Sequence, residues 1–251
     1  GTICAPGCQS HCTRNFYETS VQIRDTKLLC AEKAFDQVLK TIKPYKATGK
    51  KAAVVGGGPS GMAAAYYLAK MGVEVTLYEK GEKLGGIVSA VIPDFRISDE
   101  VIERDAELLK QLGVTVICGK EAPSVETLRN EYGNVVLAVG ALKRSQLKLE
   151  DQEAYNALEF LEDFNATKGD LNLGKHVVII GGGNTAMDTA RAAKRCKGVE
   201  HVYLVYRRTK RYMPADEHEL LLALQDGVEF RELLSPVRIE QGQLICNKMV
   251  L

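Results

Sequence analysis

The sequence is short of several features, and each shortage removes a class of protein. No uninterrupted apolar run reaches the roughly 18 residues that a bilayer-spanning helix needs, so no membrane partner is expected. Charge of one sign is missing as well. The 251 residues carry 33 Lys and Arg against 32 Asp and Glu, a formal net charge of +1. Without a basic excess, no nucleic-acid partner is expected. The chain opens at Gly1 with no charged-then-apolar leader, which reads as a processed start without a signal peptide. Seven cysteines make an odd set, and Cys118 and Cys246 stand singly among apolar neighbours. That usage argues against a secreted disulfide framework and for a reducing, cytoplasmic compartment. His11, His176, His201 and His218 form no catalytic constellation, so they read as structural.

What is present is an alternation of apolar strands and helices that repeats. Residues 1–49 read as an N-terminal segment, a cysteine-bearing turn region followed by an amphipathic helix. In that helix Leu28, Ala31, Phe35 and Val38 recur at helical spacing, and Cys30 reads as core. Residues 50–142 read as one unit: strand 51–55, a glycine turn, an Ala-rich helix over 62–71, strand 73–78, helix 98–112, and strands 114–118 and 135–139. A connector over 143–174 carries a helix near 157–164. Residues 175–251 then restart the pattern: strand 175–180, a second glycine turn, a helix to about 194, strand 202–206, a helix over 215–225, and strands near 228–232, 237–240 and 244–251. The duplication of strand, glycine turn, helix and strand predicts an α/β fold. It consists of two dinucleotide-binding, Rossmann-like units with parallel sheets covered on both faces, preceded by a short helical segment containing cysteines.

The first turn, Gly56-Gly-Gly58-Pro59-Ser60-Gly61, fits G-x-G-x-x-G. The first glycine permits the tight turn, the second lets backbone approach a pyrophosphate, and the third lets helix and strand pack closely. The following helix N-terminus offers unpaired N–H groups and a positive dipole end to the phosphates. Glu79 ends the second strand, 18 residues after Gly61, where its carboxylate can accept from both hydroxyls of an adenosine ribose. The same carboxylate would repel a 2′-phosphate, so this site predicts FAD or NAD rather than NADP. The second turn, Gly181-Gly-Gly183-Asn184-Thr185-Ala186, fits the variant ending in alanine. Tyr206 is followed by Arg207-Arg208-Thr209-Lys210-Arg211, so the position equivalent to Glu79 is read as cationic. Arginine there can grip a 2′-phosphate in a forked manner, which predicts NADP(H). A plain solvated loop is the blander reading of that basic run. Two nucleotide sites of opposite charge preference are what hydride transfer between NADPH and FAD requires.

Cys4, Cys8 and Cys12 place three thiols at intervals of four. Thiolates suit zinc or iron–sulfur clusters, but zinc favours C-x-x-C pairs that this segment lacks. A helix with cysteines on one face is the alternative. Three protein thiolates cannot complete a four-cysteine cubane, so a cluster here needs a cysteine from outside this chain.

Together these blocks resemble the glutamate synthase small-subunit family, which includes the N-terminal part of dihydropyrimidine dehydrogenase, and within it the selenate reductase-type flavin subunits. The carriers are the run from Cys4 to Asn15, Val55 to Gly61, Glu79-Lys80, Leu84-Gly85-Gly86, Ile92 to Arg96, Val136 to Gly140, Gly181 to Asp188, and Val205 to Arg208 followed by Met213-Pro214. The resemblance implies an FAD unit into which an NAD(P)H unit is inserted. Gly85, Gly86 and Arg96 would line the flavin and its phosphates, Ala122 would approach the adenine through backbone, and Gly140 would belong to the same site. The cysteine run would serve [4Fe–4S] clusters, and a downstream subunit or domain would accept the electrons. The resemblance also implies that the chain is a fragment of a longer protein. A flavin disulfide reductase would need C-x-x-x-x-C soon after Gly86, and Ile87 to Ile92 carry none. A fold retaining its glycine turns while binding nothing is the remaining alternative.

Overall fold

The computed structural model describes residues 2–141, 147, 149–150 and 154–250. Part of the expected connector, residues 143–146, 148 and 151–153, and the last residue of the final expected strand lie outside the described residues. The chain groups into two compact units, Gly1–Ser89 with Asp94–Ala141, and Ala90–Pro93 with Leu142–Leu251.

The first unit begins with a short helix α1 (Gly7–Ser10), a turn of 3-10 helix (Thr13–Phe16) and the long helix α2 (Ile23–Thr41). Its sheet is built from β1 (Lys51–Val55), β2 (Glu74–Tyr78), β3 (Thr115–Ile117) and β4 (Gly133–Leu137). The strand order is β3-β2-β1-β4 and every pairing is parallel. Helix α3 (Pro59–Lys70) crosses from β1 to β2. A single turn α4 (Ile87–Ala90) and helix α5 (Asp99–Gln111) lead to β3, and α6 (Val125–Tyr132) crosses to β4.

Ala52, Ala53 and Val54 of β1 are fully buried, as a central parallel strand with both faces covered should be. Val54, Val75 and Leu77 pack in one cluster with Ala65 and Ala69 of α3 and Leu109 of α5. Ala53 and Tyr78 pack with Leu128 of α6 in another. Each fully buried Leu or Val contributes roughly 1.5–3 kcal/mol relative to exposure. Helix α6, like the short α1 and α4, is an element that sequence periodicity left unassigned. Its start is capped by Ser124, whose hydroxyl accepts from the Thr127 N–H at 3.2 Å. Helix α2 forms where the spacing predicts it, but it buries none of its residues. Cys30, expected in a core, is therefore exposed, while Phe35 of the same helix lies under the Arg104 guanidinium at 4.2 Å. A periodic stripe specifies a face, and only a facing surface makes it a core.

The second unit contains α7 (Ala157–Thr167), β5 (His176–Ile180), α8 (Asn184–Arg195), β6 (His201–Tyr206), α9 (Glu217–Gln225), β7 (Glu229–Glu232), β8 (Leu234–Glu240) and β9 (Gln243–Lys248). Strands β5, β6 and β7 form a parallel sheet in that order, and β8 and β9 form an antiparallel pair. Helix α8 buries Ala186, Met187, Ala190 and Ala193, and Val202 and Leu204 of β6 are fully buried. The opposite face of this sheet is more open than the repeat predicts, because Val178 is 38% exposed. His176, His201 and Tyr203 stack there, the two imidazoles 5.0 Å apart with their planes nearly parallel.

Candidate functional site

In the first unit, β1 runs directly into the glycine turn. Gly56 takes φ +106°, and a Cβ there would lie 2.3 Å from the Ala138 carbonyl oxygen. Its N–H continues the sheet ladder to the Tyr78 carbonyl at 2.8 Å. Gly58 precedes α3, with Pro59 at its first position and Ser60 exposed beside it. Gly61 sits so close to β1 that a Cβ would fall 1.8 Å from the Gly56 carbonyl oxygen. That contact is the physical reason for the third glycine. The helix therefore starts against the strand end with its first N–H groups unpaired, the arrangement that receives anionic phosphate.

Glu79 follows β2 and closes over this turn. One carboxylate oxygen accepts from Gly57 N–H at 2.6 Å and the other from Gly81 N–H at 2.7 Å. A carboxylate offers about four lone-pair positions, so two remain after these bonds. Gly85 and Gly86, legible in the sequence only through the resemblance, come to the same turn. Gly85 N–H donates to Gly57 O at 2.8 Å, and a Cβ on Gly86 would lie 2.9 Å from the Gly58 Cα. Two backbone stretches thus face each other with no side chain between them. Lys80 and Gly140 are exposed, Arg96 is half-buried, and Ala122 packs against the Ala53–Tyr78–Leu128 cluster.

The second turn repeats the plan with a wider step. Gly181 N–H bonds the Val205 carbonyl at 3.0 Å, and a Cβ on Gly181 would stand 3.2 Å from the Ala186 methyl. Gly183 precedes α8 in extended conformation, Thr185 is exposed, and space around Gly183 is open. Asn184 does more than open the helix, because its side-chain oxygen accepts from Asp216 N–H at 3.0 Å. Ala215 N–H also donates to Gly182 O at 3.0 Å, so the loop after β6 is tied to the glycine turn.

Strand register corrects one reading. In the first unit Val55 pairs with Tyr78, which puts Glu79 opposite the first glycine. In the second, Ile180 pairs with Val205, which puts Tyr206 opposite Gly181. The residue equivalent to Glu79 is therefore Tyr206, not an arginine. The register is the same in both units, and because β6 continues through Tyr206, the arginines lie beyond the point opposite the first glycine. Tyr206 is buried, its ring fills the place of a Gly182 side chain, and its hydroxyl donates to the Tyr212 carbonyl at 2.7 Å. Arg207 and Arg208 follow it, both exposed. Sequence reading missed Tyr206 and Gly182; an aromatic residue closing the apolar run was the available signal.

The three N-terminal thiols do not gather. Among the described residues no group of three or more His, Cys, Asp or Glu is placed to hold a metal ion. Cys8 is exposed, and the Cys4 thiol lies 3.9 Å from the Lys27 ammonium. Backbone hydrogen bonds at Val21 and Arg14 hold the Cys12 thiol below its usual range. Burial raises the thiols of Cys118, Cys196 and Cys246, which suits unreactive interior cysteines. No helix among the described residues is long and apolar enough to cross a membrane.

Two glycine turns, each closed by the residue opposite its first glycine, define a protein of dinucleotide-binding type. The family model for pyridine nucleotide-disulphide oxidoreductases matches residues 20–130 and 50–244, and the chain belongs to that family. It is 42% identical to YgfK of Escherichia coli (strain K12), over all of this chain and 25% of that protein. It is 32% identical to the glutamate synthase [NADPH] small chain of the same strain, over all of this chain and 57% of that one. The chain therefore spans from a quarter to somewhat over half of these relatives. FprA from Mycobacterium tuberculosis has the same fold, with a TM-score of 0.63 at 19% identity over 81% of this chain and 67% of FprA.

Proposed function

We propose that the chain is the electron-input module of a flavin oxidoreductase, taking hydride from NADPH onto FAD and passing electrons to an accepting subunit or domain. When bound, nicotinamide and flavin supply the redox chemistry; the protein supplies binding, orientation and electrostatics. The observation that carries this reading is the opposite chemistry of two equivalent strand ends. Glu79 closes the first turn with a carboxylate. Tyr206 closes the second without one, followed by Arg207 and Arg208, whose guanidinium groups make no ion pair with any described carboxylate.

The first turn suits FAD. Gly58 and Gly86 leave bare backbone where a pyrophosphate would approach, Gly61 lets the helix pack on the strand behind them, and the spare Glu79 lone pairs suit ribose hydroxyls. Gly56, Gly58, Pro59, Ser60, Lys80, Gly85, Arg96, Ala122 and Gly140 complete the proposed flavin site. The second turn suits NADPH. Gly181, Gly183, Asn184, Thr185 and Ala186 present the helix start to the pyrophosphate, and Arg207 and Arg208 supply forked donors to the 2′-phosphate. With a neutral ring in place of an acid, the strand end itself sets no carboxylate against that phosphate. The glutamate synthase relative is an NADPH-dependent enzyme by name, which agrees with this preference. Cys4, Cys8 and Cys12 are not gathered to hold an iron–sulfur cluster among the described residues.

The test is a visible absorption spectrum of the intact protein, before and after anaerobic NADPH. The flavin band should be present and should bleach. A colourless protein that releases no flavin and ignores NADPH would leave only the inert scaffold.

A further inference from the structure

Residues 37–73 hold six lysines and no Asp, Glu or Arg, in a chain whose formal net charge is only +1. The fold gathers these lysines at one end of the first sheet. Lys51 and Glu74 open β1 and β2 side by side, whereas the glycine turn follows the other end of β1. The connector between α2 and β1 is laid across the turn from α3 into β2 and is fixed along its length. Ile42 is buried in the core cluster of Val54 and Leu109. Tyr45 N–H donates to Lys70 O at 2.8 Å, Thr48 N–H donates to Gly72 O at 2.9 Å, and Lys50 O accepts from Glu74 N–H at 3.0 Å. Gly72, at φ +86°, admits this approach, because a Cβ there would lie 2.3 Å from the Lys46 carbonyl oxygen. Tyr45 is thereby held beside the end of α3, which carries Tyr67 and Met71, and the three are 67%, 63% and 58% exposed. Tyr66 meets Tyr67 edge to face at 5.1 Å between ring centroids, and the Lys70 ammonium lies 5.8 Å over the Tyr66 ring.

We infer that this end of the first unit is a docking surface for an acidic peptide segment of a partner protein. The segment seats an apolar side chain on Tyr45, Tyr67 and Met71, and sets its carboxylates among Lys43, Lys46 and Lys50. Local structure accounts for the other lysines. Lys40 and Lys70 stand in the last turns of α2 and α3, where helix carbonyls favour a cation, and Lys51 pairs with Glu74 at 3.2 Å. Lys43, Lys46 and Lys50 belong to no helix or strand, are exposed, and make no ion pair with a described carboxylate. Three such cations repel one another, and a row of partner carboxylates relieves that repulsion. An apolar centre rich in Tyr and Met within a charged rim is the anatomy of a protein interface. The edge-on tyrosine pair beside Met71 is uneven, which suits one inserted side chain better than a row of stacked bases. The backbone bonds that fix the connector leave little ordering to be done on binding.

Fluorescence anisotropy tests this, with the intact protein titrated into a labelled peptide of about 12 residues, rich in Glu and Asp around a central Leu-Phe pair. Lys43→Glu/Lys46→Glu should weaken binding about ten-fold or more, and the milder Lys43→Gln/Lys46→Gln about three-fold. Tyr67→Ala should weaken it about three- to ten-fold, yet leave unchanged the binding of a peptide with glycines in place of the Leu-Phe pair. All these side chains are exposed, so the variants should melt with the parent protein. Lys197→Glu, which reverses an exposed charge in the second unit, should leave the peptide affinity as it was. An equal loss in Lys197→Glu would reduce the attraction to net charge and overturn the inference, as would an affinity indifferent to the lysine variants. Phosphatidylserine vesicles or a thymidine oligonucleotide bound more tightly than the peptide, through the same lysines, would overturn it in favour of lipid or nucleic acid. Flavin content and NADPH affinity should not change in any of these variants, since the surface lies away from the glycine turns. Failure of peptide docking is thus separable from failure of the cofactor reading.

Discussion

The ring of Tyr206 occupies the space that a side chain on Gly182 would fill, with its Cε2 atom 2.5 Å from the position of a Cβ there. In the first unit the same place, against Gly57, is shared by the Leu84 side chain and Glu79, whose carboxylate accepts from the Gly57 N–H. One fold thus holds two strand ends of opposite chemistry at equivalent points. The ring closes the turn by shape and without charge, whereas the carboxylate closes it by accepting backbone N–H groups.

Replacing that ring should move nucleotide preference. Tyr206→Glu puts an acid opposite Gly181, and the ratio of NADPH to NADH affinity should fall by about ten-fold or more. Tyr206→Phe keeps the shape and loses only the bond to Tyr212 O, costing about 0.5–1.5 kcal/mol. Titration of both nucleotides against each variant, with a thermal melt alongside, distinguishes the two effects.

The third turn positions should tolerate opposite changes. Gly61→Ala forces a methyl within 1.8 Å of the Gly56 carbonyl oxygen, which backbone cannot absorb, so it should cost about 3 kcal/mol or more and abolish flavin retention. Ala186→Gly meets no such clash and should cost only about 0.5–1 kcal/mol as a helical glycine. Equal melting temperatures for the two variants would contradict the packing described.

Glu79→Gln leaves one oxygen to serve two backbone donors, because an amide has a single acceptor atom. Either Gly57 or Gly81 loses its partner, at about 1–3 kcal/mol. Flavin content per polypeptide after purification should drop accordingly, while NADPH affinity stays as it was.

The arginines should act on one nucleotide only. Arg207→Glu combined with Arg208→Ala should weaken NADPH about 100-fold and NADH less than about three-fold. Matched losses in both would remove the argument for a 2′-phosphate contact.

Alkaline pH should loosen the first unit. The Tyr78 and Tyr132 hydroxyls are 3.0 Å apart, and this hydrogen bond, followed by burial, pushes the Tyr78 phenol from its ordinary value near 10 up to about 12. A folded value above the unfolded one means stability is complete below pH 10 and is lost as pH rises from 10 towards 12. Tyr132→Phe should reduce that dependence, and ultraviolet titration of tyrosinate against far-ultraviolet dichroism would show it.

The primary sequence alone determined the alternation of strands and helices, the position of both glycine turns and the acid at Glu79. These depend on local rules: apolar runs, periodicity, glycine where backbone must approach backbone. It could not reveal α6, whose only fully buried side chain is Leu128, nor that the stripe of α2 would meet so little. Only the tertiary structure decided that Tyr206, rather than Arg207, stands opposite the first glycine of the second turn. Parallel pairing between strands separated by a helix fixes which residue meets the glycine, and that pairing is set by the folded sheet rather than by the length of the apolar run. Likewise the spacing of Cys4, Cys8 and Cys12 states a ligand chemistry, whereas convergence of three thiols is a property of the folded chain.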